Sequence, residues 1–323
     1  MKWLWVLLAA AGSTVAPAYA DPSGEPIDWL DRIVSAAQRL SYSGTFVYQS
    51  GGHTETSRIT HVVDASGERE KLEVLDGSPR EVVRNNDEVK CYLPAERMVI
   101  VDRQGSRKAF PARLPASLST LAEHYRMRRG EISRVAGFES QQLILEPRDN
   151  LRYGHVFWAD MATGLLLKAR MVNEKNEPIE QFYFTQLQIG GNIDRDMLKP
   201  KFSGNASQWN VHNAKTMESN VEDGSWSFRN QIPGFRKTAG MKRQLQDNAP
   251  AMMHYVFTDG LAAISVFIEP LAGMQEVPRA GTYSTGAINV YKRISGDHAL
   301  ILVGEVPLQT LKQLGDGIEP IRR

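Results

Sequence analysis

The residue types that do chemistry are present in this sequence but scattered. Seven histidines, His53, His61, His124, His155, His212, His254 and His298, include no pair three or four apart on a helical stretch, the spacing that favours a zinc site. A β-sheet could still bring distant histidines together, but no metal or other cofactor is expected. The single cysteine, Cys91, excludes a thiolate metal cluster and an internal disulfide. It lies in the strand-like run EVKCYLP, where a small buried hydrophobe fits better than a thiol activated by a nearby base. No GxSxG, GxGxxG, Walker or HExxH pattern occurs. Carboxylates are plentiful, yet none stand at a spacing that marks a catalytic acid and base. The Asp259-Gly260 step in VFTDGLAAISVFIEP reads as a hairpin turn between two β runs. No catalytic residue is nominated, and the chain reads as a non-enzyme.

Two features rise above this background. Between Arg97 and Arg134 nine basic residues face only Asp102, Glu123 and Glu131, a local charge of +6 in a chain whose net charge is +1. Within that stretch Arg107, Lys108, Arg113, Arg126, Arg128 and Arg129 are candidates for a rim that receives phosphates or an acidic peptide, because arginine forks bind such oxygens bidentately. The competing reading is a solvated loop with several salt bridges. The second feature is a series of large apolar residues on β-type runs. Phe46, Tyr48, Val74, Leu143, Leu145, Phe157, Phe182 and Phe184, with Leu118 and Leu121 from a helical stretch between runs, are candidates for an apolar ligand pocket. Core packing alone would also explain them.

These residues need elements to position them. A chain of 323 residues, 42% hydrophobic and 23% charged, supports about two ordinary globular domains. Residues 1–20, MKWLWVLLAAAGSTVAPAYA, have an apolar run and a small-x-small end, the pattern of a secretory signal cleaved before Asp21. Near-neutral charge speaks against nucleic acid, and no later apolar run approaches the roughly 20 residues of a membrane span. Behind Pro26, Ile27, Leu30, Ile33, Val34, Ala37 and Leu40 recur at helical spacing. About eleven short β runs follow before Gly190, too many for a compact flat sheet, so the sheet must curl or close. Residues 105–124 interrupt them and read as an inserted lid. A large domain over 21–201, a polar linker over 202–221 and a smaller β-rich domain over 222–323 are expected. The last ends in a helix that starts at Pro307 and stops at Gly315.

The order of long motifs adds a resemblance. WLDRIVSAAQRLSYSGTFVYQSGG, ITHVVD, LEVLDGSPREVVRNNDEVKCYLP, AFPARLP, HYVFTDGLAAISVFIEP and ALILVGEVPLQTLKQL are similar to the RseB/MucB family, periplasmic regulators of the sigma-E (AlgU) envelope-stress response. The resemblance implies a mainly antiparallel α+β fold. Its large domain would be an unclosed β-barrel with a helical lid, like the carriers LolA and LolB, joined to a smaller β domain. It also implies binding to the periplasmic domain of an anti-sigma factor of the RseA/MucA type, protection of that domain from regulated proteolysis, and release by lipid or lipopolysaccharide. Phe235, Arg236, Phe267 and Glu269 are candidates for the partner surface, chosen from alternation and charge in the second domain. A periplasmic lipid carrier of the LolA type is the alternative; the second domain speaks against it.

Overall fold

The computed structural model describes residues 25–102, 120–204, 208–213, 225–243, 251–272 and 279–321. The signal segment, most of the expected lid and parts of the expected linker lie outside the described residues. Helix α1 (Pro26–Arg39) opens with proline in its first turn and with the Glu25 N–H donating to the Asp28 carboxylate at 3.0 Å. Its apolar stripe buries Trp29, Leu30, Ile33, Ala36 and Ala37. It ends at Leu40, whose backbone is extended.

The strands β1 (Tyr42–Ser50), β2 (His53–Asp64), β3 (Gly67–Val74), β4 (Glu81–Asn85), β5 (Glu88–Leu93) and β6 (Met98–Asp102) form a meander. The positive φ angles demanded of its turns occur at Gly51, Gly52, Gly67, Gly77 and Asn86. After α2 (Leu121–His124) come β7 (Tyr125–Val135), β8 (Phe138–Pro147), β9 (Gly154–Asp160), β10 (Leu166–Val172) and β11 (Pro178–Ile189). Strand β11 returns to pair with β1, which joins the two runs into one sheet. A short strand, β12 (Asn210–Asn213), adds in parallel to β6, giving the order β12-β6-β5-β4-β3-β2-β1-β11-β10-β9-β8-β7. Among the described residues the ends of that order do not pair with each other, so the described sheet is not a closed barrel. A Cβ on Gly44 would stand 2.5 Å from the Gln186 carbonyl oxygen, beside the register shift at Thr45/Phe46, so only glycine permits this tight bend. Part of the expected linker thus serves as an edge strand, and Phe202 and Trp209 pack with Tyr92, Val99 and Val101.

The second unit contains β13 (Trp226–Phe228), β14 (Arg236–Arg243), β15 (Met252–Thr258), β16 (Ala263–Pro270), β17 (Gly281–Thr285), β18 (Ile288–Ser295), β19 (His298–Gly304), α3 (Leu308–Asp316) and β20 (Ile318–Pro320). Six of the strands form an antiparallel sheet in the order β14-β15-β16-β19-β18-β17. Helix α3 covers one face with Leu311 and Leu314 against Val266, Leu300 and Leu302. Pro307 stands at the N-cap, one position before the helix begins and not at its first position, and Gly315 does not stop the helix; the C-cap is Gly317. Gly315 is a packing residue, since a Cβ there would lie 2.9 Å from the Tyr291 ring. Both cores are apolar and mainly antiparallel, so the expected α+β class holds. Among the described residues no helix is long and apolar enough to cross a membrane.

Candidate functional site

Strand alternation decides which apolar candidates meet. Phe46 stands opposite Phe184, and Tyr48 opposite Phe182. Ala169 links Phe182 to Phe157, which stands opposite Leu143; Leu145 follows two residues on. All therefore share the sheet face covered by α1, and Val74, reached through Ser57, lies on the same face. The rings of Phe46, Phe182 and Phe184 pack edge to face at centroid separations of 5.8–6.4 Å. Phe46, Leu121, Leu143, Leu145, Phe157, Phe182 and Phe184 are buried in one cluster with Trp29 and Ile33. Tyr48 and Val74 are half-buried, and the Tyr48 hydroxyl donates to Glu180 at 2.9 Å. Leu118 lies outside the described residues. The face selected as a pocket wall is thus also the core of the large domain.

The basic candidates divide. Arg107, Lys108 and Arg113 lie outside the described residues. Arg126, Arg128 and Arg129 sit on β7, the last strand in the sheet order. Arg129 stands opposite Leu143 and donates to Gln141 at 3.0 Å, so it shares the α1 side. Arg126 and Arg128 face the other side, where Arg128 holds Glu146 at 2.8 and 3.0 Å. That side carries a groove of about 640 Å³ lined in part by Arg128, Trp158 and Arg170. The three arginines do not form one rim, because neighbouring residues on a strand point to opposite faces.

A group that the sequence did not nominate joins the two units. Arg152, in the β8–β9 loop, is fully buried. Its Nε and one terminal nitrogen grip the Asp149 carboxylate at 3.0 and 3.1 Å. Its Nη1 reaches Asp259 at 2.7 Å, and Nη2 also donates to the Pro233 carbonyl at 2.6 Å. Asp259 itself is fully buried. It accepts from the Leu261 and Ala262 N–H groups at 2.9 Å each, and from the Tyr125 hydroxyl at 3.3 Å. The Asp259-Gly260 step is the expected turn, with Gly260 at a φ of 104°, but its aspartate also anchors the interface. Neutral contacts extend it: Thr310 donates to the Leu151 carbonyl at 2.8 Å and Asn289 to the Tyr153 hydroxyl at 2.9 Å. Gly234 meets His124 so closely that a Cβ would lie 2.4 Å from the ring. Beside this knot His155 stacks on Phe157, and burial pushes its imidazole pKa down to about 4, so it is neutral. Nothing in the local sequence of Arg152 distinguishes it from a surface arginine; only its burial does.

Of the partner candidates, Phe235 and Arg236 lie next to this knot. Arg152 stands 5.2 Å over the Phe235 ring, and Phe235 is half-buried against the second core. Phe228, Ile232, Phe235, Phe257 and Leu314 line a groove of about 430 Å³ whose lip carries Arg236 and Lys237. Such a groove suits an apolar anchor flanked by carboxylates. Phe267 and Glu269 are not at an edge, because β16 is held between β15 and β19. Phe267 is half-buried and stacks on His254 at 4.3 Å. Among the described residues one set of possible metal ligands converges, His61 with Glu68 and Glu70 in the large domain.

The sequence and the fold have relatives. Residues 25–202 match the MucB/RseB N-terminal domain, and residues 220–319 match the MucB/RseB C-terminal domain. The chain is 34% identical over 318 residues to the sigma factor AlgU regulatory protein MucB of Pseudomonas aeruginosa, covering 97% of this chain and 96% of that one. It is similar to the solved complex of Pseudomonas aeruginosa MucA/MucB, with 30% identity and a TM-score of 0.73 over 93% of this chain and 100% of that one. A crystal structure of MucB also matches, at 30% identity and a TM-score of 0.63 over 93% of this chain and 99% of that one. Matches to both halves, in order and along nearly the whole length, lead to one assignment: the chain belongs to the MucB/RseB family.

Proposed function

We propose that the chain is a non-catalytic periplasmic regulator that binds the periplasmic segment of a MucA-type anti-sigma factor, shields it from regulated proteolysis, and lets go when lipid or lipopolysaccharide binds. The observation that carries this reading is the likeness to the MucA/MucB complex across both units, which needs the two units in a similar arrangement. In this chain the buried Arg152–Asp259 pair ties the two units together. The groove beneath Arg236 and Lys237 has the apolar floor and cationic lip that an acidic segment with an apolar anchor would use. For the lipid, the α1-covered face offers the apolar wall and Arg129 a cation at its edge strand. Each buried methylene contributes about 0.8 kcal/mol, so acyl chains can compete with an interface of ordinary affinity. Release requires that lipid bind the partner-free arrangement more tightly.

The test uses the full mature chain and the periplasmic part of a MucA-type protein. Arg236→Glu with Lys237→Glu is expected to weaken binding at least tenfold, and lipopolysaccharide titrated into the wild-type complex is expected to release the partner. Unchanged affinity of the double variant removes the groove from the interface, and a complex that survives saturating lipid removes the switch.

A further inference from the structure

We propose that His61, Glu68 and Glu70 form a binding site for one divalent transition-metal ion of the zinc class, in the corner between the end of α1 and the β2–β3 hairpin. Register builds the cluster. His61 stands directly opposite Glu70, and Glu68, two residues before Glu70 on β3, points to the same face. Donor atoms of the three side chains lie within 4.8 Å of one another.

The hydrogen bonds around His61 define a position for a proton or a metal ion. His61 Nδ1 lies 2.8 Å from the Leu40 carbonyl oxygen, which can only accept, so Nδ1 carries the hydrogen. In the neutral ring Nε2 then presents a lone pair, and it lies 3.3 Å from Glu68 Oε1, a second acceptor. Two acceptors at that distance need a proton or a metal between them. A carbonyl fixing Nδ1 while Nε2 faces a carboxylate is the second-shell pattern of metal-ligating histidines. A tetrahedral zinc with ligands at about 2.0–2.1 Å spaces them roughly 3.3 Å apart, which matches this gap.

Glu70 supplies the independent observation. It is only 6% exposed, and its Oε2 is buried without a hydrogen-bond partner, so this carboxyl oxygen is withheld from water. Arg84 stands opposite Glu70 on the neighbouring strand β4. Tyr42 packs at a tilt against the His61 ring, with centroids 5.0 Å apart, and forms one wall of the cluster. One imidazole with two carboxylates suits zinc, cobalt or manganese better than calcium or magnesium. The Glu68 side chain is 36% exposed and gives the ion its entry and an open coordination position for water.

The experiment titrates Zn²⁺, and separately Co²⁺ with its visible absorption read, into chelator-treated mature chain. One equivalent is expected to bind with release of protons, and Glu70→Gln and His61→Gln are each expected to weaken binding at least tenfold. Because either buried variant can unfold, Glu68→Gln, at a partly exposed position, is the second variant and is expected to weaken binding by a similar factor in a folded chain. Absence of a saturable wild-type equivalent overturns the proposal and leaves the cluster sharing protons alone. Equal affinity of folded Glu68→Gln and wild type overturns the ligand assignment.

Discussion

Replacing Arg152 by methionine removes the cation that ties the two units together and leaves the Asp259 carboxylate buried. Breaking a buried pair from one side costs about 3–5 kcal/mol, because the surviving charge has lost its counterion. Asp259 keeps three donors, the Leu261 and Ala262 N–H groups and the Tyr125 hydroxyl, so Arg152→Met is expected near the lower end, about 3 kcal/mol. Asp259→Asn is milder. Arg152 keeps both oxygens of Asp149 and the Pro233 carbonyl, so the loss is one charge-assisted hydrogen bond, about 2 kcal/mol. The double variant should cost about 1.5–3 kcal/mol less than the sum of the two, since the pair can be broken only once. Urea denaturation of the full chain gives the cycle, and small-angle X-ray scattering of the same variants reads the relative position of the units. The scattering profile of Arg152→Met is expected to broaden towards more extended arrangements. Additive single and double variants, within about 0.5 kcal/mol, together with unchanged scattering, would refute the claim that this knot sets the arrangement.

Two further outcomes follow from burial. Phe46→Ala should cost about 3–5 kcal/mol in chemical denaturation, as expected for a buried aromatic ring; a cost below about 1 kcal/mol would show that its packing contributes little to the stability of the large domain. His155 has a folded-state pKa depressed to about 4 from 6.5, so its contribution is complete above pH 6.5 and is lost as pH falls through about 4. That contribution is about 3 kcal/mol at most, and His155→Gln should flatten the acid side of the stability-pH curve; an unchanged slope between pH 6.5 and 4 would show that His155 is not the group responsible.

What the sequence determined by itself was local. The stripe from Ile27 to Leu40 made α1, since apolar residues at helical spacing can bury only as a helix. Alternating β runs and positive-φ turn residues made the eleven strands before Gly190, and alternation put Phe46, Phe157, Phe182 and Phe184 on one face. The order of motifs was enough for the family, because it depends on chain order and not on contact. Long-range pairing decided the rest. Residues around Trp209 look like a linker because they are polar and lack period, yet β12 takes its form from the edge of β6 and not from its own composition. Gly315 looks like a helix stop until the Tyr291 ring is seen to need its missing side chain. Arg126, Arg128 and Arg129 are neighbours in the chain but are split by the pleat. Arg152 and Asp259 are 107 residues apart, and only the docking of the two units removes both from water and makes their attraction strong. His61 and Glu70 meet only because the β2–β3 hairpin sets them opposite each other. Charge and hydropathy along the chain carry no record of which side chains will share a dry space, and so the sites that depend on sharing one appeared only in the folded molecule.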